Sequence, residues 1–131
     1  MQGMVLVFRA MLFSMAFVSL AGCTTPTSSE SGVYHIVMLW LKPGTTDSTR
    51  QQIISQTRAL ESIPSLKRVS VGKVLPSTRT IVDDSFDIGI VMVFNNQADM
   101  NAYLQHPRHS QLVKTLIKPN IQKIRVHDFI L

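Results

Sequence analysis

Residues 33–41 read VYHIVMLWL and are stopped by the turn formers Lys42-Pro43-Gly44. A β-branched and aromatic run of this kind, closed by Pro-Gly, predicts a strand. A second such run, FDIGIVMVF over residues 86–94, predicts another. Between them, Thr46 or Asp47 is placed to cap a helix in which Ile53, Ile54, Thr57 and Leu60 share one face, and Pro64 marks its exit. Residues 66–75 predict a further strand ending at Pro76, and the polar stretch 77–85, with Asp83 and Asp84, suits a hairpin-like connection. Beyond residue 94, Asn96 is placed to cap a helix over 97–105. Pro107 fits the first turn of a following helix with Leu112, Val113, Leu116 and Ile117 inward. Residues 121–131, with an apolar core at Ile124, Val126 and Phe129, close the chain as a last strand. The order is βαββαβ, which predicts an α+β, ferredoxin-like fold: a four-stranded antiparallel sheet with helices on one face.

The other face of that sheet needs a cover. In the first strand His35, Val37, Leu39 and Leu41 alternate with Tyr34, Ile36, Met38 and Trp40, and neither set reads as a solvent face. The third strand repeats the pattern, with Phe86, Ile88, Ile90, Met92 and Phe94 opposite Val91 and Val93. Burying one large apolar side chain gains roughly 1.5–3 kcal/mol, so four left in water on the first strand forfeit on the order of 6–12 kcal/mol. That is comparable with the stability of a whole domain. The simplest cover is a second copy, giving a two-fold homodimer with sheets face to face and Trp40 buried between them, a dimeric α+β barrel.

Outward from this domain, the chain has 131 residues, 13 Lys plus Arg against 8 Asp plus Glu, and a net charge of +5. At 45% apolar and 16% charged it is not a disordered polymer, and without a run of like charges nucleic acid is not an expected partner. There is no internal repeat and no P-loop or dinucleotide glycine pattern. Residues 1–22 carry a single charge, Arg9, and the stretch AMLFSMAFVSL over 10–20 reads as the core of an export signal, with translation starting at Met1 or Met4. It ends in Leu20-Ala21-Gly22-Cys23, which resembles the lipobox of bacterial lipoproteins. Cys23 is the one cysteine of the chain, and acylation explains a thiol that has no internal partner in an exported protein. Each buried methylene of such a lipid adds about 0.8 kcal/mol of membrane affinity. Residues 23–32, with TTPTSSESG after the cysteine, read as a flexible tether spanning about 17 Å. Thr24 stands where the lipoprotein pattern uses Asp for inner-membrane retention. The resemblance therefore implies a lipid anchor in the bacterial cell envelope, with the outer membrane, facing the periplasm, preferred.

Residues 33–131 resemble the stress-responsive A/B barrel (Dabb) family of the dimeric α+β barrel group. The resemblance is carried by the opening HIVMLWLKPG, the helix exit IPSLKRVSVGK, the strand FDIGIVMVF, the segment AYLQHPRHSQLV and the ending VHDFIL. It implies a homodimeric barrel but no single activity, because members range from stress-associated proteins to plant polyketide cyclases.

Three polar groups are candidates for one site. His109 precedes Leu112 and Val113 by three and four residues and shares their helix face. Tyr103 lies across the His106-Pro107 joint, and His35 alternates with Val37 and Leu39 toward the helix side. A few polar groups in an apolar cleft are the composition of a small-molecule pocket, here for a small apolar or aromatic ligand. In cyclase members of the family, the His matching His109 acts as general base and the Tyr matching Tyr103 polarises a carbonyl. Two readings follow: a membrane-tethered binding or stress-associated module, or a cofactor-independent cyclase, isomerase or lyase with Tyr103 and His109 as catalytic residues. The bland alternatives are a structural His109 bonded to a backbone carbonyl and a His106 that only caps its helix. His106 and His109 have a spacing usable by a metal, and His127 with Asp128 lies on the last strand, but no second tight ligand pair accompanies them and no metal or cofactor is expected.

Overall fold

The computed structural model describes residues 32–131. The export signal, Cys23 and all but the last residue of the tether lie outside the described residues. Four strands, β1 (Val33–Leu41), β2 (Arg68–Lys73), β3 (Ile88–Phe94) and β4 (Ile121–Ile130), form one sheet in the order β2-β3-β1-β4, every neighbouring pair antiparallel. Helix α1 (Asp47–Arg58) runs into a 3-10 turn, Ala59–Ser62, and helices α2 (Gln97–Gln105) and α3 (Pro107–Leu112) follow β3. The helix then widens into a π turn, Val113–Ile117, and ends in Lys118–Asn120. This is the expected βαββαβ ferredoxin-like order, and the helices cover one face of the sheet.

The local chemistry explains the boundaries. Gly44 takes φ +81° in the turn after β1, a conformation that favours glycine. Of the two candidate caps for α1 it is Thr46 that serves, its hydroxyl accepting from Thr49 N. Asn96 accepts from Asp99 N to cap α2, and His106 Nδ1 accepts from Arg108 N to cap α3 at the Pro107 start. Gly32 admits the carbonyl of Phe94 so closely that a Cβ there would sit 2.6 Å from it.

Under the helices lies the core. On β1, Val33, His35, Val37, Leu39 and Leu41 are buried and the intervening residues are half-buried. Ile88, Ile90, Met92 and Phe94 match them on β3, with Ile53, Ile54, Thr57 and Leu60 from the α1 side.

Three sequence expectations need correction. The second strand is shorter than 66–75, because its ladder ends at Lys73 opposite Ile88. Phe86 is not part of the third strand: Asp87 accepts from Leu41 N and Arg50 and turns the chain, so Phe86 packs edge-on against Trp40 on the uncovered face. Ile124, Val126 and Phe129 are not a core within one chain. They lie on the edge strand β4 at 47%, 46% and 43% exposure.

The uncovered face carries an apolar stripe with a largely polar border on the β4 side. Tyr34, Ile36, Met38 and Trp40 pair in register with Val93, Val91 and Gly89 on one side and with Phe129, His127, Arg125 and Lys123 on the other. Tyr34 stacks on Phe129 at 5.2 Å, and the Lys123 ammonium lies 4.0 Å from the Trp40 ring. Beyond it, the connection from β2 to β3 is held by internal bonds such as Ser77 N to Asp84 and Ser85 N to Asp83, while Leu75 and Ile81 project into solvent. Among the described residues no helix is long and apolar enough to cross a membrane.

Candidate functional site

Between the helices and the sheet is a cavity of about 230 Å³, and His35, Tyr103 and His109 all line it. Their convergence follows from the elements. Alternation on β1 turns His35 inward beside Val37 and Leu39, and antiparallel pairing sets Asp128, Val126 and Ile124 directly opposite those three. Helix α2 buries Tyr103 completely against Phe94, with ring centroids 5.2 Å apart. Pro107 then breaks and restarts the helix, which folds His109 back until its ring lies 4.7 Å from that of Tyr103. Val113 and Ile117, both in the π turn, line the cavity as well.

Hydrogen bonds define the state of each group. His109 Nδ1 lies 3.1 Å from the carbonyl oxygen of Leu104. A carbonyl only accepts, so Nδ1 carries the proton and the lone pair of the neutral ring is on Nε2. Burial holds the imidazole below its ordinary pKa of 6.5, against the pull of the Leu104 carbonyl and with help from the nearby His35 and His106 rings. His109 is thus a neutral base at physiological pH. His35 Nδ1 donates to Asp128 Oδ1 at 2.7 Å by the same reasoning, since a carboxylate only accepts. Burial pushes the Tyr103 phenol far above its usual range, so it stays a protonated donor. Its hydroxyl has no hydrogen-bond partner within the protein, and neither has that of Thr57.

His35, Tyr103 and His109, which strand alternation and helix spacing aim at one site, meet in the structure. Two further residues of the site are not legible as such from the sequence. Thr57 reads as part of the packing face of α1, where a hydroxyl among Ile53, Ile54 and Leu60 is the available signal; Asp128 becomes the partner of His35 only once the register of β1 and β4 is known. No group of three or more His, Cys, Asp or Glu side chains suited to a metal is found among the described residues. His106 spends Nδ1 on its helix cap, and His127 lies on the uncovered face. Chemically, the site offers a lone pair on His109, two donor hydroxyls and a fixed second imidazole in an apolar enclosure.

The family signature described as "Stress responsive A/B Barrel Domain" matches residues 33–131. The chain belongs to this family. Members of the same fold have been solved. A hydroxynitrile lyase from Passiflora edulis is 26% identical, with a TM-score of 0.68 over 76% of this chain and 93% of that one. A dimeric ferredoxin-like protein of unknown function from Thermobifida fusca is 24% identical, with a TM-score of 0.66 over 77% and 92%. A Dabb family protein with a ferredoxin-like fold from Mesorhizobium loti is 19% identical, with a TM-score of 0.64 over 78% and 98%. No curated protein matches the sequence. Of these similar structures, one is described as dimeric and one as a hydroxynitrile lyase.

Proposed function

We propose that this chain is a lipid-anchored, homodimeric module of the bacterial cell envelope whose cavity binds a small, mostly apolar compound bearing a hydrogen-bonding oxygen. The observation that carries this reading is the meeting of His35, Thr57, Tyr103 and His109 on one otherwise apolar cavity. Its volume of about 230 Å³ lies below the roughly 300–1,000 Å³ typical of drug-sized ligands, which favours a compact compound. The homodimer is supported by the apolar stripe Tyr34, Ile36, Met38 and Trp40, which a second copy would cover. Anchoring through acylated Cys23, with the outer membrane as its site, is supported by Leu20-Ala21-Gly22-Cys23 and Thr24. Native mass spectrometry of the full chain, extracted from membranes in mild detergent, tests both parts. Dimers carrying a small organic adduct and a diacylglycerol mass increment are expected; bare monomers would end the proposal.

A second reading rests on the contact between the Tyr103 and His109 rings. With Nδ1 bonded to Leu104, Nε2 of His109 is available to take a proton from carbon beside a carbonyl. The Tyr103 hydroxyl would donate to the oxygen as it gains charge, and the proton would return at the end of the turnover. This is a cofactor-independent cyclase, isomerase or lyase. If His109→Ala and Tyr103→Phe leave turnover of β-keto and aromatic carbonyl compounds unchanged, this reading fails while binding stands.

A further inference from the structure

Among the described residues, Thr57 Oγ1 and Tyr103 Oη are the buried side-chain polar atoms without a hydrogen-bond partner, and both residues line the same cavity. They reach it from different elements, α1 and α2. Thr57 is 2% exposed and Tyr103 0%, so bulk water does not solvate either hydroxyl. A helical threonine commonly returns its hydroxyl to a carbonyl of the preceding turn, and Thr57 does not. On a face otherwise built from Ile53, Ile54 and Leu60, a valine would fill nearly the same space with no orphaned group.

We propose that Thr57 is a specificity-determining donor of this cavity, selecting small carbonyl compounds whose oxygen accepts from Thr57 and Tyr103 together. The donor count points to that class. A ketone or aldehyde oxygen has two lone pairs and no proton, which matches two hydroxyl donors. His109 Nε2 and the apolar walls meet the carbon framework. The inference rests on the binding reading above and adds to it the group that the ligand presents and the residue that reads it.

The test compares acetophenone with α-methylstyrene, which keeps the shape and replaces the oxygen by a methylene. Full chain is held in lipid nanodiscs, empty nanodiscs provide the partitioning reference, and displacement of para-fluoroacetophenone is followed by fluorine NMR. The wild type is expected to prefer acetophenone by about tenfold or more, given two neutral hydrogen bonds. Thr57→Val should lower that preference about fivefold, leave α-methylstyrene affinity unchanged and raise the melting temperature of the free protein. Thr57→Ser should retain the preference. Should Thr57→Val not accumulate, Thr57→Ala serves in the same comparison. An unchanged preference in the variant removes Thr57 as donor. Equal wild-type affinity for both compounds overturns carbonyl selection and leaves the binding site standing, whereas failure of both compounds to bind strikes the binding reading itself.

Discussion

Tyr103→Phe should make the ligand-free protein more stable, the reverse of the usual outcome for a change at a fully buried position. The ring is 0% exposed and packs on Phe94 and His109, contacts that phenylalanine keeps. What changes is a hydroxyl without a partner. A buried donor left unsatisfied costs about 1–3 kcal/mol. Losing one oxygen leaves a small void, which at about 24 cal/mol per Å³ returns only a few tenths of a kcal/mol. The net expectation is a gain of about 1–2 kcal/mol, with roughly 4–8 °C in Tm for each kcal/mol in a domain of this size. Urea unfolding and calorimetry of the free protein measure it. With a carbonyl ligand present the order should reverse, because the wild type alone makes the phenolic hydrogen bond and ligand stabilises in proportion to its affinity. A variant less stable than wild type without ligand would refute the reasoning, since it would mean that the hydroxyl is already bonded in the free protein.

Burial depresses the His109 pKa below 6.5, so the unfolded chain binds the extra proton first as pH falls. This contribution is intact above about pH 6.5 and is lost as pH falls through the folded-state value, and His109→Gln should flatten that part of a stability-against-pH curve measured by urea unfolding. Asp128→Asn weakens the bond that orients His35; with the carboxylate 46% exposed the loss should be about 1 kcal/mol or less, seen in denaturant midpoints and in the His35 ring signals by NMR. Met38→Glu puts a charge into the middle of the apolar stripe and should convert dimer to monomer in analytical ultracentrifugation, while far-ultraviolet circular dichroism stays unchanged.

Much of this fold is legible without coordinates because its elements carry strong local signals. β1 ends before Lys42-Pro43-Gly44, α2 begins after Asn96 and stops before His106-Pro107, and Ile53, Ile54, Thr57 and Leu60 show the helical period. Reading fails where long-range pairing decides. Residues 74 and 75 have strand-like side chains but no rung on β3 beyond the pair of Lys73 with Ile88, and Asp87, tied to Leu41 and Arg50, excludes Phe86. β4 carries apolar Ile124, Val126 and Phe129 but has the position of an edge strand, which only the sheet order reveals. The same distinction holds for the site. Helix spacing and strand alternation were enough to aim His35, Tyr103 and His109 at one another. Asp128 needed the register of β4, and the vacancy of the Thr57 hydroxyl needed the side chains around it.

The most direct test is a crystal structure of the protein grown with acetophenone, examined for density between β1 and the helices. The expected density is a compact molecule with its oxygen about 2.7–3 Å from Tyr103 Oη and Thr57 Oγ1, beside the ring of His109. A cavity holding only water, with both hydroxyls bonded to it while the ligand lies elsewhere or nowhere, would contradict the account.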